Sequence, residues 1–97
     1  MKILICSKTA AIRESLNLIL SDIYDLILTE SIEMCAEILN NAKDVNLVIG
    51  EDIVPIRDQF PQRKTLGIKD RNEVEAPFIE KPFKSDLVLK KIEEILK

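Results

Sequence analysis

Asn46-Leu47-Val48-Ile49-Gly50 is the stretch that decides the fold. Its apolar residues run on without the alternation of a half-exposed strand. Such a run reads as a strand buried on both faces, as in a parallel sheet covered by helices on either side. Working outward from it, Ile3-Leu4-Ile5-Cys6 is a second run of this kind, and Leu26-Ile27-Leu28-Thr29 a third. Between them lie helical patterns. Ile12, Leu16, Ile19 and Leu20 recur at helical spacing after Thr9, and Ile32, Cys35, Ala36, Ile38 and Leu39 do so after Ser31. Thr9 and Ser31 are good N-cap residues.

Beyond Gly50 the pattern thins. Pro55 and Pro61 bracket Ile56 to Phe60, enough for one or two helical turns. Lys64 to Ile68 reads as a fourth strand, Lys69 to Ala76 as a polar loop, and Pro77 to Glu80 as a fifth strand. Ser85 is placed to cap a last helix carrying Leu87, Val88, Leu89, Ile92, Ile95 and Leu96. Strands separated by helices imply right-handed crossovers and a parallel sheet. The expected fold class is α/β, a flavodoxin-like three-layer sandwich with five parallel strands in the order 2-1-3-4-5. Helix three is expected to be reduced and helix four shortened or absent.

Composition narrows the function. A chain of 97 residues forms one domain with one core. A net charge of -3, with basic residues scattered, gives no footprint for nucleic acid. No apolar run is long enough to cross a bilayer, so the expected location is the cytoplasm. The chain has no histidine, which removes the commonest general base, and its two cysteines, Cys6 and Cys35, make no zinc site. Two glycines, Gly50 and Gly67, make no phosphate-binding glycine loop. No metal or cofactor is expected.

Three segments at strand ends carry a resemblance. They are Lys2 to Lys8, then Asn46 to Pro55, and Glu80-Lys81-Pro82-Phe83. Together they resemble the receiver domain of two-component response regulators. In that family an acidic pair after strand one holds Mg²⁺ and an aspartate after strand three accepts phosphate. A hydroxyl after strand four and a lysine after strand five hold the phosphoryl group. Carried over position by position, the acidic pair falls on Ser7 and Lys8 and the phosphoacceptor on Glu51. The hydroxyl position falls on Ile68 or Lys69, and only Lys81 matches.

Lys8 would put a cation where the metal belongs, and Glu51 is one methylene longer than the family's aspartate. Positioning dominates phosphoryl transfer, so the longer arm matters. The resemblance therefore implies a degenerate receiver: not an enzyme, but a phosphorylation-independent regulatory and dimerisation module. Its altered pocket comprises Ser7, Lys8, Glu51, Asp52, Lys69 and Lys81, with Lys8 and Lys81 expected to neutralise Glu51. The domain, residues 1–97, is expected to be the N-terminal regulatory part of a longer transcriptional regulator, followed by an AAA+ or DNA-binding effector domain. A homodimer is expected through strands four and five or the final helix, with Leu66, Ile68, Phe78, Leu87 and Val88 as contacts. Two alternatives stay open: a phosphorylatable receiver using Asp52, and a phosphocysteine transfer component using Cys6. The second rests on a thiol at the end of strand one, whose following loop, Ser7 to Ala11, lacks glycine.

Overall fold

The structure, a computed structural model, describes residues 1–51, 53–69, 78–80 and 84–96, with the side chains of residues 69 and 78–80 outside that description. The elements run β1 (Lys2–Cys6), α1 (Ala10–Leu20), β2 (Asp25–Thr29), α2 (Ile32–Asn41), β3 (Val45–Gly50), α3 (Val54–Gln59), β4 (Thr65–Lys69), β5 (Phe78–Glu80) and α4 (Ser85–Leu96). All strand pairs are parallel and the order is β2-β1-β3-β4-β5. The sheet is therefore the one expected.

Strand alternation sorts the apolar side chains onto two faces. Ile3 and Ile5 of β1, Leu47 and Ile49 of β3, and Leu66 and Ile68 of β4 join Ile12, Leu16 and Leu20 of α1 and Val88 and Ile92 of α4. Leu4, Cys6 and Val48 point the other way. There they meet Cys35 and Leu39 of α2, with Ile53 and Ile56 around α3. Each fully buried aliphatic side chain adds about 1.5–3 kcal/mol relative to exposure. A bulge near Lys2 shifts the β1–β3 register, and Asn46 uses its side chain there to accept from the backbone N–H of Lys2 at 2.9 Å.

Local signals explain two of the four helix starts, those of α2 and α3. Ser31 Oγ accepts from the Met34 N–H at 3.2 Å, capping α2 as expected. Thr9 occupies the cap position of α1, but its side chain makes no capping bond. Lys84, not Ser85, precedes α4 and accepts from Val88 N–H at 3.0 Å through its carbonyl. Pro55 sits in the first turn of α3, where a missing N–H is harmless. This helix has six residues, so the expected reduction of helix three is present. The expectation for helix four falls on residues 70–77, outside the described residues.

Three of the interface expectations do not hold. Leu66 is 0% exposed, Ile68 4% and Val88 2%. The reason is topological: β4 lies between β3 and β5, and its Leu66 and Ile68 both point into the face roofed by α1 and α4. Val88 belongs to that roof. Leu87 is exposed, and the side chain of Phe78 lies outside the description.

Candidate functional site at the strand ends

The C-terminal ends of β1 and β3 lie side by side, with Cys6 paired to Gly50. The close approach explains Gly50. A Cβ there would stand 2.9 Å from the Cys6 carbonyl oxygen and 3.3 Å from Ile53 Cδ1. The residues that follow, Ser7 and Glu51, are thereby neighbours. Ser7 Oγ donates to Glu51 Oε1. This is the central contact of the site.

Ser7 is built in rather than displayed. It is 1% exposed. Its N–H donates to Thr29 O at 3.1 Å, carrying the β1–β2 ladder one residue past the strand. Its Oγ also accepts from the Thr9 N–H at 3.1 Å, a serine turn of the kind that short hydroxyl side chains favour. Its carbonyl accepts from Arg13 Nη1 at 2.6 Å, and Arg13 Nη2 reaches Glu30 at 3.4 Å. The hydroxyl is thus held by its own loop, and the first turn of α1 clamps the carbonyl above it.

The sequence expectation of a lysine beside Glu51 needs correction at Lys8. Among the described residues the ion pairs are Lys2–Asp44, Arg13–Glu30 and Lys91–Glu94, and Lys8 is in none of them. Lys8 is exposed, and the partner of Glu51 is its neighbour's hydroxyl. The reason is that β1 ends at Cys6: Ser7 is still held by the bond of its N–H to Thr29, whereas Lys8 lies in the loop beyond the helix-covered sheet. Asp52 and Lys81 lie outside the described residues, as does the side chain of Lys69.

Residues the sequence reading did not bring to the site are Thr9, Arg13, Thr29 and Glu30. A Ser-x-Thr spacing directly after a strand is the one local signal for the turn. Arg13 carries no such signal, because its role depends on α1 packing back over the loop.

Among the described residues the oxygen donors that could serve Mg²⁺ at the strand ends are few. That ion takes near-octahedral oxygen ligands, usually one or two carboxylates together with waters and substrate phosphate. Here the described residues bring Glu51, engaged by Ser7, and Glu30, turned toward Arg13. Cys6 is ill-suited to surface chemistry. It is 4% exposed and packs in the α2 face with Cys35, which is 0% exposed. Contact with Cys6 together with burial pushes the Cys35 thiol well above its ordinary value.

No protein-family model matches this sequence. No curated protein matches it either. Solved structures do. The signal receiver domain of an HD domain-containing protein from Pseudomonas fluorescens Pf-5 superposes with a TM-score of 0.83 at 17% identity, covering 98% of this chain and 93% of its own. The chain has the fold of a receiver domain. A CheY-like response regulator receiver domain protein from Methanospirillum hungatei JF-1 is similar at a TM-score of 0.81 and 22% identity, covering 98% of this chain and 92% of its own. The beryllofluoride-activated NtrC4 receiver domain dimer is similar at 0.81 and 17%, covering 98% and 95%. In a receiver fold, the Ser7–Glu51 contact stands at the strand ends where open α/β sheets handle ligands.

Proposed function

We propose that this chain is a signalling receiver domain whose strand-end pocket has been converted from a metal-dependent phosphoacceptor site into a fixed hydrogen-bonded one. It is a regulatory module, not a catalyst. It acts through contacts with other protein domains, a second copy of itself among them, in the cytoplasm, and a longer regulator supplies the AAA+ or DNA-binding effector domain. The fold supports the signalling role, and a solved neighbour with the same fold is a receiver dimer.

The observation that carries the reading is the bond from Ser7 to Glu51. In the family's pocket, acids face a metal ion across this gap. Here a neutral hydroxyl fills it and satisfies the carboxylate directly. A hydrogen bond to a charged group contributes about 1.5–3 kcal/mol. A metal ion would have to displace that bond and find further oxygen ligands. On this reading the pocket is set at folding and is not reset by phosphate.

The test is an amide NMR titration with Mg²⁺ alone and then with beryllofluoride or acetyl phosphate. The expected result is no saturable shift at Ser7, Gly50 or Glu51. Saturable shifts confined to those amides would overturn the proposal and restore a phosphorylatable receiver.

A further inference from the structure

Among the described residues β2 ends the sheet on one side, with one strand neighbour, β1. Which of its backbone groups are used follows from two bonds. Asp25 N–H donates to Met1 O at 2.9 Å, and Thr29 O accepts from Ser7 N–H at 3.1 Å. The N–H and C=O of one strand residue point the same way, and the direction alternates along the strand. Asp25, Ile27 and Thr29 therefore face β1. Leu26 and Leu28 turn their N–H and C=O outward.

Of the usual protections against strand pairing, the edge has its short length and the charge of Asp25. Asp-Leu-Ile-Leu-Thr has no proline and no lysine, and Leu28 is 43% exposed. The strand is short and regular, so its pairing options can be enumerated. In an antiparallel pair, residues whose backbone groups face each other exchange both N–H···O bonds. Pairing Leu26 with Leu28 of the second copy, and Leu28 with Leu26, satisfies every outward group of both strands. The two-fold axis then passes between the two Ile27 residues. Centring on Leu26 would instead oppose Leu28 to Tyr24, whose N–H already donates to Leu20 O at 2.9 Å.

The side chains agree with this register. Leu26 packs on the α1 face and Leu28 shares that side by alternation, so the four leucines form one apolar stripe across the junction. Ile27 meets Ile27 on the α2 face. Asp25 stands opposite Thr29 and Glu30 opposite Tyr24, so no like charges oppose each other.

We infer that the chain self-associates by antiparallel β2–β2 pairing, giving one continuous sheet across two copies. The inference deepens the self-association part of the proposed function and is independent of the pocket chemistry.

Light scattering over a concentration series, with hydrogen exchange on the concentrated sample, tests it. The expected result is a dimer in which the Leu26 and Leu28 amides are protected although neither bonds within its own copy. Leu28→Pro removes an outward N–H and no bond to β1, so the fold persists and the dissociation constant rises about tenfold or more. Ile27→Cys provides a check that does not depend on proline: the two thiols meet on the axis, and mild oxidation yields a covalent dimer. Leu18→Cys, on the exposed side of α1, does not. A dimer unaffected by Leu28→Pro but lost with Leu87→Lys would overturn the β2 interface while leaving self-association intact. A monomer at every concentration would overturn both.

Discussion

On one side of the sheet, α1 with eleven residues and α4 with twelve lie over a cluster of aliphatic side chains drawn from β1, β3 and β4. On the other side, α2 with ten residues shares the work with α3, which has six. The second face compensates with polar ties. Arg63 donates to the carbonyls of Val45, Leu39 and Ala42 at 2.9, 3.2 and 3.0 Å, closing the open C-terminus of α2. Arg57 Nε donates to Thr65 Oγ1 at 3.2 Å, tying α3 to β4. Where a helix is too short to bury surface, guanidinium groups satisfy backbone carbonyls that would otherwise be stranded. The difference shows that the two layers of one sheet need not be held by the same force.

The largest effect is expected from truncating the two layers in turn. Leu16→Ala opens a cavity enclosed between β1, β3 and α4, and is expected to lose about 3–5 kcal/mol. Ile56→Ala, beside a six-residue helix that can settle inward, is expected to lose about 2–3 kcal/mol. Urea denaturation of both variants measures the difference. Equal losses would mean that the short helix packs as rigidly as the long ones.

Next in size is Arg63→Ala. It removes the donors to the Leu39 and Ala42 carbonyls at the end of α2 and to the Val45 carbonyl at the start of β3, with an expected loss of about 1–3 kcal/mol. Exchange at Cys35 and Leu39 should quicken, while Leu16 and Leu20 across the sheet stay protected. Matching acceleration on both faces would dissolve the distinction drawn above.

The smallest effect concerns the exposed pair at the base of the sheet. Lys2 Nζ stands 2.6 Å from Asp44 Oδ2. The hydrogen bond and charge of Lys2 lower the Asp44 pKa from its ordinary 3.8, and Asp44 raises that of Lys2. A lowered acid contributes stability above its unfolded pKa and loses it as the pH falls through the folded value. The pair's acid-side contribution is therefore complete by about pH 5 and fades below about pH 4. A raised lysine contributes below its unfolded pKa and loses that contribution as the pH rises through the folded one. Asp44→Asn is expected to leave neutral-pH stability within measurement error, because exposed pairs contribute little. A clear drop would mean that the bulge at Asn46 depends on this pair.

Much of this was legible in the chain. The continuous runs at Leu4, Val48 and their neighbours announced a parallel sheet, and helical spacing at Ile12 to Leu20 and at Val88 to Leu96 placed the layers on it. The thin segment around Pro55 and Pro61 announced a reduced helix three. The strand ends that would form a pocket were also readable, because an apolar run stops where its chain leaves the sheet. Contacts between distant segments were harder to read. The sequence suggested Lys8 as the group beside Glu51, and Leu66, Ile68 and Val88 as surface. Lys8 stands in the loop past the end of β1 while Ser7 is still tied to β2, and the position of β4 inside the sheet buries Leu66 and Ile68 beneath the helix that carries Val88.

The amino-acid order alone determined the number of strands, their parallel sense and the two-layered cover, because periodicity and β-branching act over a few residues. Tertiary structure alone decided that Ser7 meets Glu51, that Arg63 serves carbonyls far along the chain, and that Leu26 and Leu28 lie on a strand with one strand neighbour among the described residues. Those outcomes depend on register between strands and on which strand ends the sheet, and neither is set by any local run of residues.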